Sequence, residues 1–378
     1  MTWGGDGMKE FEIKTSPVDG MPSTRRVTLA SIARQAGVST ASVSHALNGQ
    51  PGVSDETRTK ILEIAQRVGF RPNQLARALR NGRSHVIGLL LADITNPFYP
   101  EIAAGVIRGS AELGHQTFVS DTREGQITLR KTVDALLGHQ CDGLIFTSLD
   151  EAARPILEEL ARLGIPFVQL VRHVPGVAAD FVGVDDEGVG RVAAQHVLER
   201  GCRDVAVLAG PQTSSASRGR LAGARRCLES AGVVVGPHRL RECALTYESG
   251  YAEAIGLLAA VASPPDAIIC GNDVMALGAI DAIIDRGWRV PADVAVVGCD
   301  DMSFSSSRLI QLTTVALPRE EMGLTAARFL ADRIADPTID ARRKMLPHNL
   351  IVRRTSLWPG PPPEPTHCRD RRTREASQ

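Results

Sequence analysis

The chain has 378 residues, 43% of them hydrophobic and 23% charged, with 43 Lys/Arg balancing 43 Asp/Glu. That length supports two or three domains with sizeable cores, and the composition is that of a soluble globular protein. No apolar run approaches the roughly 18–20 residues that span a bilayer, and no basic region followed by an apolar stretch opens the chain, so neither a membrane span nor a secretory leader is expected and the cytoplasm is the default compartment.

Seven cysteines form an odd set without a C-x-x-C pair, which argues against a disulfide framework and a structural zinc site. The balanced total conceals an asymmetry. Residues 22–83 hold ten Lys/Arg against three acidic residues, whereas residues 84–355 hold 27 against 33. A compact basic module on an acidic body is the charge plan of a nucleic-acid binder whose body has another task.

Residues 1–25 are polar and punctuated by Gly and Pro, and read as a disordered extension in which Met8 and Met21 are alternative initiators. Residues 26–71 follow as a helical head. Leu29, Ile32, Ala33 and Ala36 recur at helical spacing, Gly37-Val38 makes a tight connection, and a second helix starts at Ser39 with Val43, Ala46 and Leu47 inside. Thr28 and Ser39 stand where a side-chain oxygen accepts from the first free backbone N–H groups. Two helices joined by such a turn form a helix-turn-helix, whose second helix enters the DNA major groove. The outer face of that helix is Thr40, Ala41, Ser42, Ser44, His45 and Asn48, short side chains without a carboxylate. A helical hairpin on the surface of an ordinary domain is the competing reading. A third helix runs from Ser54 to Val68, with Asp55 and Glu56 at its positive end and Gly69 after it. Residues 72–83 then form a short segment too small to be a stable helix alone.

From Val86 apolar runs alternate with amphipathic stretches: V-I-G-L-L-L-A, Q-T-F-V-S, G-L-I-F-T and F-V-Q-L-V, then V-A-V-L-A, A-I-I-C and V-A-V-V-G. Two such series predict two doubly wound parallel sheets, with ligand bound in the cleft between the lobes. No catalytic motif emerges: the chain has no G-x-S-x-G, no G-x-x-x-x-G-K-[ST] and no H-E-x-x-H, and the run G-V-G-R-V-A at 188–193 lacks its third Gly. Asp185-Asp186 and Asp300-Asp301 are strand-end doublets whose neighbours point opposite ways, so helix capping is their ordinary use. Asp300, directly after a strand, is the better ligand candidate. The Pro-rich, basic residues 357–378 read as a disordered tail.

The head V-T-L-A-S-I-A-R-Q-A-G-V-S-T-A-S-V-S-H-A-L-N-G, the runs V-S-D-E-T-R and R-P-N-Q-L-A-R-A-L-R, and then V-I-G-L-L-L-A-D-I-T-N-P-F-Y, C-G-N-D-V-M-A-L-G, V-P-A-D-V-A-V-V-G-C-D-D and L-T-T-V closely resemble the LacI/GalR (lac-repressor) family. The resemblance covers about residues 26–356. It implies an α-helical helix-turn-helix head, a hinge helix, and an α/β two-lobed core like that of periplasmic sugar-binding proteins, with lobes of about 84–183 plus 318–342 and 184–317 plus 343–356. It further implies a homodimer or tetramer on an operator in double-stranded DNA, a sugar-like small-molecule effector, and no metal, cofactor or catalytic residue. A transport solute-binding protein and an enzyme on a doubly wound fold are the alternatives.

The same resemblance implies that Thr40, Ala41 and His45 read bases, and that Ser39, Ser42, Asn48 and Ser54 hold phosphates, with Thr28 and Asn73 in the same DNA-contacting set. Leu79 would wedge between base pairs in the minor groove, with Arg80 following it. Effector contacts would come from Asp93, Phe98 and Tyr99 in one lobe and Arg220, Leu245, Asn272 and Asp300 in the other; a structural ion pair at the strand ends is the lesser alternative for Arg220 and Asp300. The chain departs from the family pattern in four places. Val171 precedes Arg172 where relatives commonly have Asp, Leu245 replaces an aromatic, and Ala216 and Leu317 are apolar. An effector smaller, less polar or differently charged than a hexose is therefore expected.

Overall fold

A computed structural model describes residues 27–70, 83–123, 125–259 and 263–357. The expected N-terminal extension, most of the linker and the tail lie outside the described residues, and with them Asn73, Leu79 and Arg80. The chain divides into two compact units, residues 1–74 and 75–378.

The first unit holds α1 (Leu29–Ala36), α2 (Thr40–Leu47) and α3 (Asp55–Arg67). Each helix starts on a hydroxyl cap. The oxygens of Thr28, Ser39 and Ser54 accept from the backbone N–H groups of Ser31, Ser42 and Thr57, and Ser31 closes a reciprocal capping box on Thr28. Gly37 ends α1 at φ 72°, a left-handed geometry that Gly adopts without a Cβ clash. One small core ties the three helices, formed by Ile32, Ala33, Ala36, Val43, Ala46, Ile61, Ile64 and Ala65.

The second unit contains two six-stranded sheets. The first sheet uses β1 (Val86–Leu91), β2 (Gln116–Asp121), β3 (Gly143–Phe146), β4 (Phe167–Leu170) and β5 (Asp180–Val184). The second uses β6 (Val205–Ala209), β7 (Leu240–Glu242), β8 (Ala267–Cys270), β9 (Ala295–Asp300) and β10 (Thr313–Ala316). β11 (Arg343–Leu346) and β12 (Asn349–Ile351) complete them, in the orders β11-β5-β4-β3-β1-β2 and β12-β10-β9-β8-β6-β7. The fully buried runs of β1, β3, β6 and β8 are apolar on both faces, as strands covered by helices on each side must be.

Two details correct the sequence reading. β11 runs parallel to β5 in the first sheet, so the last passage between lobes falls after Leu346 and not after residue 342. β12 pairs antiparallel with β10, so the second sheet is not wholly parallel. The pairing of β11 depends on a tertiary clamp. Asp180, fully buried at the start of β5, accepts from Arg333 Nε (2.9 Å) and Nη2 (3.0 Å) and from Arg342 backbone N (2.7 Å) and Nη2 (3.0 Å).

The crossover helices are α4 (Phe98–Glu112), α5 (Gln126–Gly138), α6 (Arg154–Arg162), α7 (Asp186–Glu199), α8 (Ser215–Ser230), α9 (Tyr247–Ala259), α10 (Asp273–Asp285) and α11 (Arg319–Ala335). Three pairs, α4/α11, α7/α8 and α9/α10, touch backbone to backbone through reciprocal glycines. In α7/α8 a Cβ on Gly190 would collide with the Arg220 carbonyl, and one on Gly223 with the Glu187 carbonyl. Gly190→Ala is expected to force these helices apart, costing about 1–3 kcal/mol as overpacking does, and to displace Arg220. A melting temperature equal to the parent's would contradict the close packing.

Candidate DNA-reading face and effector cleft

The core side chains Val43 and Ala46 turn the rest of α2 outward: Thr40, Ala41, His45 and Asn48 are exposed, and Ser42 and Ser44 are half-buried. The residues expected at phosphates already serve the local fold. Ser39 Oγ accepts from Ser42 N at 3.0 Å and shares a 2.9 Å bond with Ser42 Oγ. Ser54 Oγ donates to Thr57 Oγ1 at 2.9 Å, and Asn48 Nδ2 donates to Ser44 O at 2.8 Å. Sequence reasoning missed Arg58, which it counted only as charge. Its Nη1 donates to Ala46 O (3.1 Å) and its Nη2 to Gln50 O (2.7 Å). A guanidinium on those carbonyls satisfies the end of α2 and opposes its negative pole.

In the body the predicted second-lobe residues converge at the carboxyl ends of strands. Arg220, on α8, donates through Nη1 to Gly271 O (2.8 Å) and Asp300 Oδ1 (3.4 Å), and through Nε to Asp186 Oδ1 (3.1 Å). The ion pair foreseen for Arg220 and Asp300 is present, and Asp186, foreseen only as a cap, belongs to it. Asn272 caps α10, its Oδ1 accepting from Met275 N (2.9 Å) while Nδ2 donates to Leu245 O (3.3 Å). The Leu245 side chain covers Gly210 and Gly271.

Asp273, unforeseen and fully buried, accepts from Thr314 Oγ1 (2.5 Å), Ser305 Oγ (2.6 Å) and Met302 N (2.8 Å). Burial, and then the charge of Asp300, push Asp273 up to about 7. Burial also pushes Asp300 up to about 6, against the pull of Arg220 and Arg319. A carboxyl raised on folding binds more protons in the folded chain than in the unfolded one between its two pKa values. Its contribution to stability therefore falls as pH rises through that window. Asp273→Asn removes this dependence. Relative to the parent, the variant is expected to gain about 2 kcal/mol between pH 5 and pH 7, measured by urea unfolding at both values. Parallel behaviour of the two chains would refute the assignment.

The first-lobe residues stand apart from this cluster. Asp93 Oδ1 accepts from Thr95 N (2.8 Å) and Thr95 Oγ1 (2.6 Å). Phe98 and Tyr99 open α4 with rings edge to face at 5.2 Å, both buried in the core, and Arg172 Nη2 donates to Tyr99 Oη at 3.4 Å. Backbone strain marks a strand end in each lobe. Val171 sits at φ 70° in a three-residue turn closed by Arg172 N to Leu170 O (2.8 Å), and Asp300 and Asp301 sit at φ 113° and 54°. Positive φ is unfavourable for all three and most for the β-branched Val171, and such strain gathers at functional sites.

Contacts across the cleft come from residues the sequence did not single out. His173 N donates to Ser215 Oγ (2.9 Å), and Arg319, whose Nε donates to Glu101 of its own lobe (2.9 Å), reaches across through Nη2 to Asp301 O (3.0 Å). An apolar cavity of about 30 Å³, walled by Val189, Ala193, Ala224, Ile269 and Cys299, lies behind Arg220. A polar hollow of about 470 Å³ runs between α7 and α8 past Arg191 and Arg226. Neither draws a residue from the first lobe. Among the described residues no group of three or more His, Cys, Asp or Glu could hold a metal, and no helix is long and apolar enough to cross a membrane.

Residues 28–73 match the lacI family of bacterial regulatory proteins, and residues 194–356 match a periplasmic binding protein-like domain. Catabolite control protein A of Priestia megaterium is 32% identical over 336 residues, covering 87% of this chain and 99% of that one. The HTH-type transcriptional regulator CelR of Thermobifida fusca is 35% identical over 340 residues, covering 88% and 99%. The crystal structure of the lac repressor dimer bound to operator and the anti-inducer ONPF superposes with a TM-score of 0.79 at 30% identity, covering 88% of this chain and all of that one. Head, body and near-complete coverage agree: the chain belongs to the LacI family and is a DNA-binding transcriptional regulator.

Proposed function

We propose that the chain is a cytoplasmic, non-enzymatic repressor that binds a near-palindromic operator as a homodimer under control of a small effector held between its lobes. One observation carries this reading. A carboxylate-free outer face on α2, in a module with a surplus of seven positive charges, shares a chain with a two-lobed body whose strand ends gather Arg220, Asn272 and Asp300. Residues 26–71 read DNA: Thr40, Ala41 and His45 meet base edges, while Thr28, Ser39, Ser42, Asn48 and Ser54 fix the register on phosphates. Residues 72–83 link head to body, with Asn73, Leu79 and Arg80 completing the contact. The effector touches Asp93, Phe98 and Tyr99 from one side and Arg220, Leu245, Asn272 and Asp300 from the other.

A second copy is supported by exposed apolar surface on the first lobe. β2 is an edge strand with both faces open at Phe118 and Val119, and Ile107 of α4 and Leu113 just after it lie exposed. Footprinting on the DNA upstream of the chain's own gene tests the proposal. One protected near-palindrome is expected, with an affinity that falls steeply with salt because several phosphates are neutralised. A uniform weak affinity without a protected site would refute it.

A further inference from the structure

Arg319 opens α11, where the chain leaves β10 for the first lobe, and its side chain is 7% exposed. Two of its three nitrogens are taken, by Glu101 of α4 at 2.8 and 2.9 Å and by the carbonyl of Asp301 at 3.0 Å, one partner from each lobe. The third, Nη1, is buried and has no hydrogen-bond partner. Native proteins rarely leave such a donor unmet, and a charged one least of all. The Asp301 carbonyl that Arg319 holds belongs to the residue next to Asp300, whose carboxyl is raised by burial and lowered in part by the charges of Arg220 and Arg319. Asp300 reaches Arg220 only at 3.4 Å. A cation with a spare donor and an anion with a long, weak partner thus stand close together where the chain passes from one lobe to the other. A molecule with an acceptor oxygen next to a hydroxyl completes both.

We propose that the effector is a hydroxy acid of the sugar-acid class, and that Arg319 selects its carboxylate while Asp300 takes the adjacent hydroxyl. This rests on the reading that the effector occupies the cleft. A charge-assisted bond to a carboxylate is stronger than one to a neutral hydroxyl. Position 171 at the facing strand end is Val, so no carboxylate repels an anion there, and the next residue is the buried guanidinium of Arg172.

Calorimetric titration of the full-length protein with the matched pairs D-glucuronate and D-glucose, and D-galacturonate and D-galactose, together with D-gluconate, tests the assignment. In at least one pair the acid is expected to bind at least tenfold tighter than its neutral partner. Arg319→Gln should bring that ratio to within twofold of unity, and Arg319→Lys, which keeps the charge without the fork, should fall between. A melting curve checks each fold, and Arg319→Lys carries the test if Arg319→Gln does not fold. Neutral sugars binding as tightly as the acids, a preference that survives Arg319→Gln, or no binding by any acid would overturn the proposal. Asp300→Asn separates the two levels. Neutral-sugar binding that is lost with Asp300 leaves the cleft reading standing without the acid, whereas binding indifferent to Asp300 removes the cleft reading itself.

Discussion

Asp180→Ala is expected to cost the body about 3–5 kcal/mol, the usual penalty for removing one partner of a buried ion pair. The carboxylate is fully buried between two guanidiniums. Its loss strands Arg333, whose side chain is 15% exposed, and frees the backbone N of Arg342 at the start of β11. Burial alone would raise the Asp180 carboxyl, but Arg333 and Arg342 more than reverse this and hold it below the usual carboxylate range. The stability it supplies is therefore complete above the ordinary value of about 3.9 and is lost as pH falls through the lower folded value. Urea unfolding at pH 7 should show the full deficit, and the difference from the parent should narrow in acid. A deficit under about 1 kcal/mol at pH 7 would mean that β11 is held by its ladder alone.

Asp300→Ala is expected to abolish the effector response while the head keeps its operator affinity. A hydrogen bond to a charged group contributes about 1.5–3 kcal/mol, so effector affinity should fall roughly 10- to 150-fold. The fold has reason to tolerate the change, because Arg220 keeps Asp186 and the Gly271 carbonyl, and Asp273 loses a like-charged neighbour. The positive φ of Asp300 makes Asp300→Asn the gentler control, since Asn accepts that geometry better than Ala. Operator binding measured with and without effector decides the matter. A normal response in both variants would place the pocket elsewhere.

Features set by neighbouring residues were legible in the sequence. Thr28, Ser39 and Ser54 cap their helices as the hydroxyl spacing foretold, because capping is decided within four residues. The alternation of apolar runs located the main strands for the same reason. β11 was not legible. Its R-K-M-L run has no strand-like pattern, and its place depends on Asp180, more than 160 residues earlier. Arg58 and Arg319 entered only the charge counts, since nothing local reveals that one is spent on the end of α2 and the other lies buried between lobes. Arg220 and Asp300 were legible as residues that matter, and their ion pair as an alternative, but Asp186 as its third member was visible only in the fold.

The chain passes between the two sheets three times, after β5, after β10 and after β11, so the sheet built first is finished almost last. During synthesis the leading lobe emerges without α11 and β11, its flank open until residue 346 has cleared the ribosome. By then the trailing lobe is nearly complete and lacks only β12. Neither half can mature independently, and the body is one cooperative unit despite its two-part outline. A nonsense mutation between β10 and β11 would thus cripple both halves together and leave a head with no sensor to govern it.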